Sequence, residues 1–209
     1  MMNLKNIQIF LILTTAVSLL VLSFILFPPK RAQAVALRPA PQIIEKILPF
    51  GHHKPIKSRS IDTLIIHSSY DALGKNPYNL SGLLKEYKLY GVSPHYLITR
   101  EGTIYRLAPD KHIAYQAGKS QMPDKRIRVN DFSLGIELMN SKIDKPTEAQ
   151  YDSLANLVNF LKTKYTLNYI LGHNQIAPNR KTDPWNFDWR KFNQLLKEKT
   201  NNGNKKADY

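Results

Sequence analysis

The sequence predicts an α/β protein: a single domain with a central mixed β-sheet flanked by helices. Three observations lead there. Short β-branched or apolar runs alternate along the chain with longer stretches of helical period, which is the pattern of a layered α/β fold. The 209 residues suit one compact domain with extensions better than two full ones. Hydrophobic residues make up 43% and aromatic residues 10%, enough for a real core.

The elements follow in chain order. Residues 9–27 carry no charge. As a helix they would span about 28 Å at roughly 1.5 Å per residue, close to the hydrocarbon core of a bilayer. Lys5 precedes the run, "PPKR" follows it, and Ala32, Gln33 and Ala34 have the small-x-small form of a processing site. Residues 1–34 therefore read as a signal peptide or a membrane anchor, and the remaining chain as an exported protein of the periplasm or cell envelope. Residues 35–59, rich in proline and basic side chains, read as linker and edge.

The main domain is expected over residues 60–197. "DTLIIHSS", from Asp62, is a buried strand. "NLSGLLKEYKLYG" is a helix with Leu80, Leu83, Leu84 and Tyr87 on one face and Gly91 as its stop. "HYLITREGTIYRLA" reads as two strands around a turn at Glu101 and Gly102, and "HIAYQAGKSQMPDKRIRVND" as mostly loop. "FSLGIELMN" returns to strand. "PTEAQYDSLANLVNFLKTKY" is the clearest helix, capped by Thr147, with Tyr151, Leu154, Leu157, Val158 and Leu161 as its apolar stripe. "NYILGH" is a further short strand, and "DWRKFNQLLKEK" a last helix with Asp188 as cap. Residues 198–209 read as a disordered polar tail.

Charge and cysteine usage narrow the function. Lys and Arg number 30 against 16 acids, a formal net charge of +14. Residues 1–34 contribute Lys5, Lys30 and Arg31 and no acid, so the basic excess belongs chiefly to the rest of the chain. It favours anionic partners: nucleic acid, anionic lipid or acidic cell-wall polymers. The chain has no recognisable reading helix or RNA-binding motif, so nucleic acid is not expected. With no cysteine, disulfides, thiolate nucleophiles and thiolate metal ligands are excluded, and any metal falls to His, Asp or Glu.

Two histidines stand where apolar strand runs give out: His67 in "LIIHSS" and His173 in "YILGH". Asp183 follows His173 by ten residues, across a loop that contains Pro178 and ends before Pro184. If that loop folds back, two imidazoles and a carboxylate make an open zinc site with the fourth position left to water. Spacing alone is a weak signal and favours a surface or packing role for His173. In "SLGIELM", Leu134, Ile136 and Leu138 share one face, while Glu137 is the single acid among Gly135 and Met139 on the other.

Five segments in this order, "LIIHSS", "SPHYLITREGTIYRL", "AGKS", "NDFSLGIELMN" and "GHNQIAPNRKTDPW", resemble the zinc-dependent N-acetylmuramoyl-L-alanine amidases of the type 2 family. That family shares its fold with T7-type lysozyme and the peptidoglycan recognition proteins. The likeness runs from about residue 60 to residue 196. It implies an amidase or peptidoglycan-recognition-like sheet, Zn2+ held by His67, His173 and Asp183, and catalytic roles for Glu137 and Lys181. It also implies hydrolysis of the amide joining N-acetylmuramic acid, or its anhydro form, to L-alanine in peptidoglycan or muropeptides. A non-catalytic peptidoglycan-binding module is the alternative, and retention of all three family metal positions favours the enzyme. Partners on this reading are the peptidoglycan or muropeptide substrate, with membrane anchoring through residues 9–27.

Two positions depart from the family pattern. Pro94 stands where phage-type members carry a catalytic tyrosine, so Glu137 must serve instead. Gln116 stands in "YQAG" where many members have histidine, and is expected to contact glycan or peptide oxygens. His95 is expected to be packed and hydrogen-bonded outside the metal set. His52, His53 and His112 are expected at the surface, Arg126, Arg128 and Arg180 as solvated cations, and Thr182 and Pro184 as the residues that shape the loop aiming Asp183.

Overall fold

The computed structural model describes residues 40–205. The signal or anchor expected over residues 1–34, with its apolar run at 9–27, lies outside the described residues. Among the described residues no helix is long and apolar enough to cross a membrane.

The strands are β1 (Ile43–Glu45), β2 (His52–His53), β3 (Thr63–Ser69), β4 (Tyr96–Ile98), β5 (Ile104–Arg106), β6 (Ile113–Ala114), β7 (Ser133–Met139) and β8 (Tyr169–Gly172). Six of them form one sheet in the order β1-β5-β4-β7-β3-β8, and β2 pairs with β6 as a separate antiparallel ribbon. Within the large sheet β4 and β5 run antiparallel and every other pairing is parallel, so the sheet is mixed, as the interleaved elements predicted. β1 is an edge strand drawn from the stretch read as linker and edge. The β4–β5 turn falls at the expected place, with Gly102 N–H donating to Thr99 O at 2.9 Å.

The helices are α1 (Leu80–Tyr90), α2 (Glu148–Lys162), the one-turn α3 (His173–Ile176) and α4 (Trp189–Lys205). Asn79 caps α1 by accepting from Gly82 N–H at 2.8 Å, and the helix stops at Gly91. Thr147 and Gln150 form a reciprocal capping box on α2: Gln150 N–H donates to Thr147 Oγ1 at 3.1 Å, and Thr147 N–H to Gln150 Oε1 at 3.0 Å. Asp188 Oδ1 accepts from Lys191 N–H at 3.0 Å at the start of α4. That helix extends to Lys205, past residue 198, and the added residues contain no proline to break the ladder.

The sheet is covered on both faces. On one, Leu64, Ile66, Leu134, Ile136 and Leu138 pack against Tyr151, Leu154, Leu157, Val158 and Leu161 of α2 and Phe192 of α4. Those five α2 residues are the predicted stripe, and all are buried. On the other face Leu83 and Tyr87 of α1 pack on Leu97 and Met139, while Ile65 packs with Ala117, Met122, Val129 and Ile176. β3 lies inside the sheet between β7 and β8 and is buried from Thr63 to Ser68, which explains its nearly unbroken apolar run.

Candidate metal centre and cleft

Sheet register makes the first half of the site. β3 and β7 run parallel with His67 opposite Glu137, so a long apolar pairing ends by setting an imidazole beside a carboxyl. The second half comes from the segment after β8. The strand ends at Gly172 and His173 opens α3, one residue earlier than the strand run predicted. The loop beyond α3 then doubles back. Asn174 N–H donates to Asp183 O at 2.8 Å, and Lys181 N–H donates to Ala177 O at 2.9 Å. Gly172 permits this return: a Cβ there would lie 2.8 Å from Pro184 Cδ and 2.6 Å from Asn174 Oδ1. Thr182 accepts from Trp185 Nε1–H at 2.9 Å, which braces the turn after Asp183.

The fold-back brings His67, His173 and Asp183 together, all three buried. His67 Nδ1 lies 2.9 Å from His173 Nδ1, and Asp183 Oδ2 lies 3.3 Å and 3.2 Å from the two. Their outer nitrogens are already committed. His67 Nε2–H donates to Gln116 Oε1 at 2.5 Å, and His173 Nε2–H donates to Ala117 O at 3.0 Å. Both neutral imidazoles thus turn an Nδ1 lone pair toward one point that also faces a carboxylate oxygen. Three converging acceptors call for a cation. Their separations approach the roughly 3.3 Å between donors of a tetrahedral zinc centre with bonds of about 2.0–2.1 Å, so the set fits Zn2+. The electrostatics agree. Burial pushes the Asp183 carboxyl up, but the facing His173 and His67 rings, which donate to it whenever their Nδ1 atoms take up a proton, outweigh burial and hold it far below the usual carboxylate range. Burial lowers His173, and burial also works against a proton on His67, yet Asp183 and Glu137 raise His67 overall: the site draws positive charge.

Glu137 and Lys181 line one cleft of about 360 Å3 with His173, Asp183, Gln116 and Tyr87. Burial pushes the Glu137 carboxyl up to about 7, and Asp183 adds to this against His67, the Ser69 hydroxyl and Lys181. Its Oε2 is buried and has no hydrogen-bond partner among the described residues. Ser69 Oγ and Tyr87 Oη share a hydrogen bond at 2.6 Å at the same cleft, a contact no local sequence pattern signalled.

Several expectations change here. Gln116 lines the cleft with its amide turned to His67 and to Ser133, whose Oγ accepts from Gln116 Nε2–H at 2.9 Å, so the side chain is engaged by the metal set. Arg180 is exposed, as expected, and its Nη2 also donates to Ala117 O at 2.7 Å and Lys119 O at 3.0 Å. Arg126 pairs with Asp62 at 2.8 Å and Asp124 at 2.9 Å and stacks over Phe132, while Arg128 pairs with Asp131 at 2.8 Å. His53 is exposed, as expected, and lies 2.8 Å from the Tyr115 hydroxyl. His52 and His112 are half-buried and paired, Nδ1 to Nδ1 at 3.0 Å, with His52 Nε2–H donating to Leu48 O at 2.8 Å. The β2–β6 ribbon makes that pair, and local sequence does not show it. His95 is fully buried and hydrogen-bonded outside the metal set.

Comparison with known proteins agrees with this geometry. The family described as N-acetylmuramoyl-L-alanine amidase matches residues 57–186. The 1,6-anhydro-N-acetylmuramyl-L-alanine amidase AmpD of Citrobacter freundii is 44% identical over 108 residues, which cover 50% of this chain and 57% of that protein. The chain thus spans little more than half the length of this curated relative. A crystal structure of an AmpD selenomethionine derivative superposes with a TM-score of 0.64 at 32% identity, covering 78% of this chain and 97% of that one. The amidase AmiD of Escherichia coli, in complex with anhydro-N-acetylmuramic acid-L-Ala-D-gamma-Glu-L-Lys, superposes with a TM-score of 0.58 at 26% identity, covering 68% of this chain and 60% of that one.

Proposed function

The chain belongs to the N-acetylmuramoyl-L-alanine amidase family, and from that premise we propose that it hydrolyses the amide between N-acetylmuramic acid, or its anhydro form, and L-alanine in peptidoglycan or muropeptides. The observation that carries the reading is the convergence of His67 Nδ1, His173 Nδ1 and Asp183 Oδ2 within 3.3 Å of one another, at a cleft that also holds Glu137 and Lys181. The names of the AmpD and AmiD relatives support the substrate class.

Zn2+ held by His67, His173 and Asp183 supplies Lewis acidity, lowering the pKa of water and polarising an amide carbonyl. The remaining work falls to the side chains. Glu137 Oε2, buried and without a partner, is placed to take a proton from the attacking water and to deliver it to the leaving nitrogen of L-alanine. With its proton affinity raised to about 7, Glu137 can do both near neutrality. The Lys181 ammonium faces the same cleft and balances the negative charge that grows on the carbonyl oxygen.

The apolar run at residues 9–27 supports an exported chain working in the periplasm or cell envelope, held by that segment or released from it. There the net charge of +14 suits an acidic wall polymer.

The test is zinc content together with release of peptide from muropeptides and from intact wall, for the full-length chain and its His173→Ala variant. About one zinc per chain, with both zinc and peptide release lost in the variant, is the expected result. Zinc uptake without cleavage of either substrate would point instead to a binding module.

A further inference from the structure

The segment of Gln116 and Ala117 holds the outer nitrogens of both metal-site imidazoles, and the way it is itself held determines which proton each ring carries. Ser133 decides the matter for Gln116. Its hydroxyl lies 2.6 Å from Val129 O, which can only accept, so the single Ser133 proton goes there. Ser133 Oγ therefore offers Gln116 only lone pairs, and at 2.9 Å the NH2 end of the Gln116 amide must face it. The carbonyl end is left for His67, and Oε1 accepts from Nε2 at 2.5 Å. A reversed amide would point N–H groups at His67 and drive its proton onto Nδ1, the atom the metal needs. Gly135 leaves room for this arrangement, since a Cβ there would lie 2.7 Å from Gln116 Cγ. Asn130 secures the backbone: its Oδ1 accepts from Gln116 N–H at 3.3 Å and from Ala117 N–H at 2.8 Å. Ala117 O in turn receives His173 Nε2–H at 3.0 Å.

We propose that Gln116 is a positioning residue whose amide, oriented by Ser133 and anchored by Asn130, keeps His67 as the Nε2–H tautomer and thereby presents Nδ1 to the metal. The inference rests on the zinc reading of the site. It assigns to a neutral amide the support that metal-bound histidines often take from a carboxylate or a backbone carbonyl. Neutrality suits a centre that already holds the Asp183 carboxylate with Glu137 close by, because another anion would add to the repulsion there. It also accounts for glutamine at a position where protein chemistry offers many donors: the geometry requires one acceptor and one donor on the same rigid group.

The experiment measures zinc affinity by competition with a chromophoric chelator in the full-length chain and in Gln116→Met, Gln116→Glu and Ser133→Ala. Proton NMR of each zinc-loaded, 15N-histidine-labelled protein follows the His67 Nε2 proton. Gln116→Met keeps the length of the side chain but has no strong acceptor. Its zinc affinity is expected to fall about 10–100-fold, with the His67 Nε2 proton lost to exchange with water. Gln116→Glu restores the acceptor for His67 but neither the donor that Ser133 takes nor the neutrality of the amide, and is expected to recover the protected Nε2 proton with only part of the zinc affinity, a rescue that a merely space-filling role would not show. Ser133→Ala removes one oxygen, frees the amide to turn, and is expected to shift both readouts the same way by less; it serves as the test if Gln116→Met does not fold. Zinc affinity in folded Gln116→Met within about twofold of wild type, with the Nε2 proton still protected, overturns the inference alone. A wild-type chain that takes up no zinc overturns the reading of the site and this inference with it. Peptide release is not among the readouts, so the inference stands or falls apart from the proposed hydrolysis.

Discussion

Glu137 shares the cleft with Lys181, and one of its carboxyl oxygens is buried without a partner among the described residues. Both side chains can be changed without touching the three converging ligand atoms. Glu137→Gln keeps the shape and removes the proton acceptor. Its turnover is expected to fall about 10²–10⁴-fold while the zinc content stays at the wild-type level, measured by peptide release and metal analysis on the same preparation. Equal turnover would remove Glu137 from the mechanism. Lys181→Met removes the charge that the proposed mechanism sets against the developing oxyanion. A loss of about 10²–10³-fold in kcat, with little change in KM, is the expected result of steady-state kinetics on a soluble muropeptide. A rise in KM at unchanged kcat would instead make Lys181 a binding residue.

Between strands, the packing around His95 makes a pH-sensitive element that the metal set does not share. His95 precedes β4, and Gly135 N–H of β7 donates to its Nδ1 at 3.1 Å, while its Nε2–H donates to His112 O at 3.1 Å. The neutral ring is thus satisfied at both nitrogens, and a second proton would oppose the Gly135 N–H. Burial first, and then the nearby Arg59 guanidinium and the His52 and His112 rings, push His95 down to about 3, against the His112 carbonyl that favours the charged form. Arg59 itself is held there by donating to His112 O and Ser133 O. The unfolded chain binds a proton at this histidine below about 6.5, and the folded chain does so only near 3. Stability should therefore fall as pH drops through that window, with a slope of at most about 1.4 kcal/mol per pH unit from this group. Urea unfolding at pH 7 and pH 4.5 is expected to show a smaller pH dependence in His95→Gln than in wild type. An identical dependence would mean that other groups carry the acid sensitivity.

Over the whole domain, the metal centre ties together parts that the sheet alone does not join. His67 belongs to β3, His173 opens α3, and Asp183 lies on the returning loop. A ligand that binds only the folded chain stabilises it by an amount set by its concentration relative to Kd, about 4 kcal/mol at a thousandfold excess. Treating the zinc-loaded protein with a chelator is expected to lower Tm, and adding zinc back to restore it. Asp183→Ala should show no such zinc-dependent shift in calorimetry. A Tm indifferent to chelation in wild type would argue that the three side chains hold no ion in solution.

The sequence by itself determined what depends on neighbours along the chain. The Thr147 cap and the stripe from Tyr151 to Leu161, the Gly91 stop, the buried runs of β3 and β7 and the metal-ligand candidates are all legible as local pattern or ordered motif. Tertiary structure decided the rest, because the deciding contacts join residues far apart in sequence. His67 meets His173 across 106 positions and Gln116 across 49. The β3–β7 register that sets Glu137 beside His67, the His52–His112 pair and the carbonyls that occupy Arg180 are likewise facts of packing. Gln116 shows the division most plainly. Its sequence neighbourhood marks it as a departure from a family pattern, but only the position of the Ser133 hydroxyl, with one proton and one place to send it, fixes which end of the amide His67 receives.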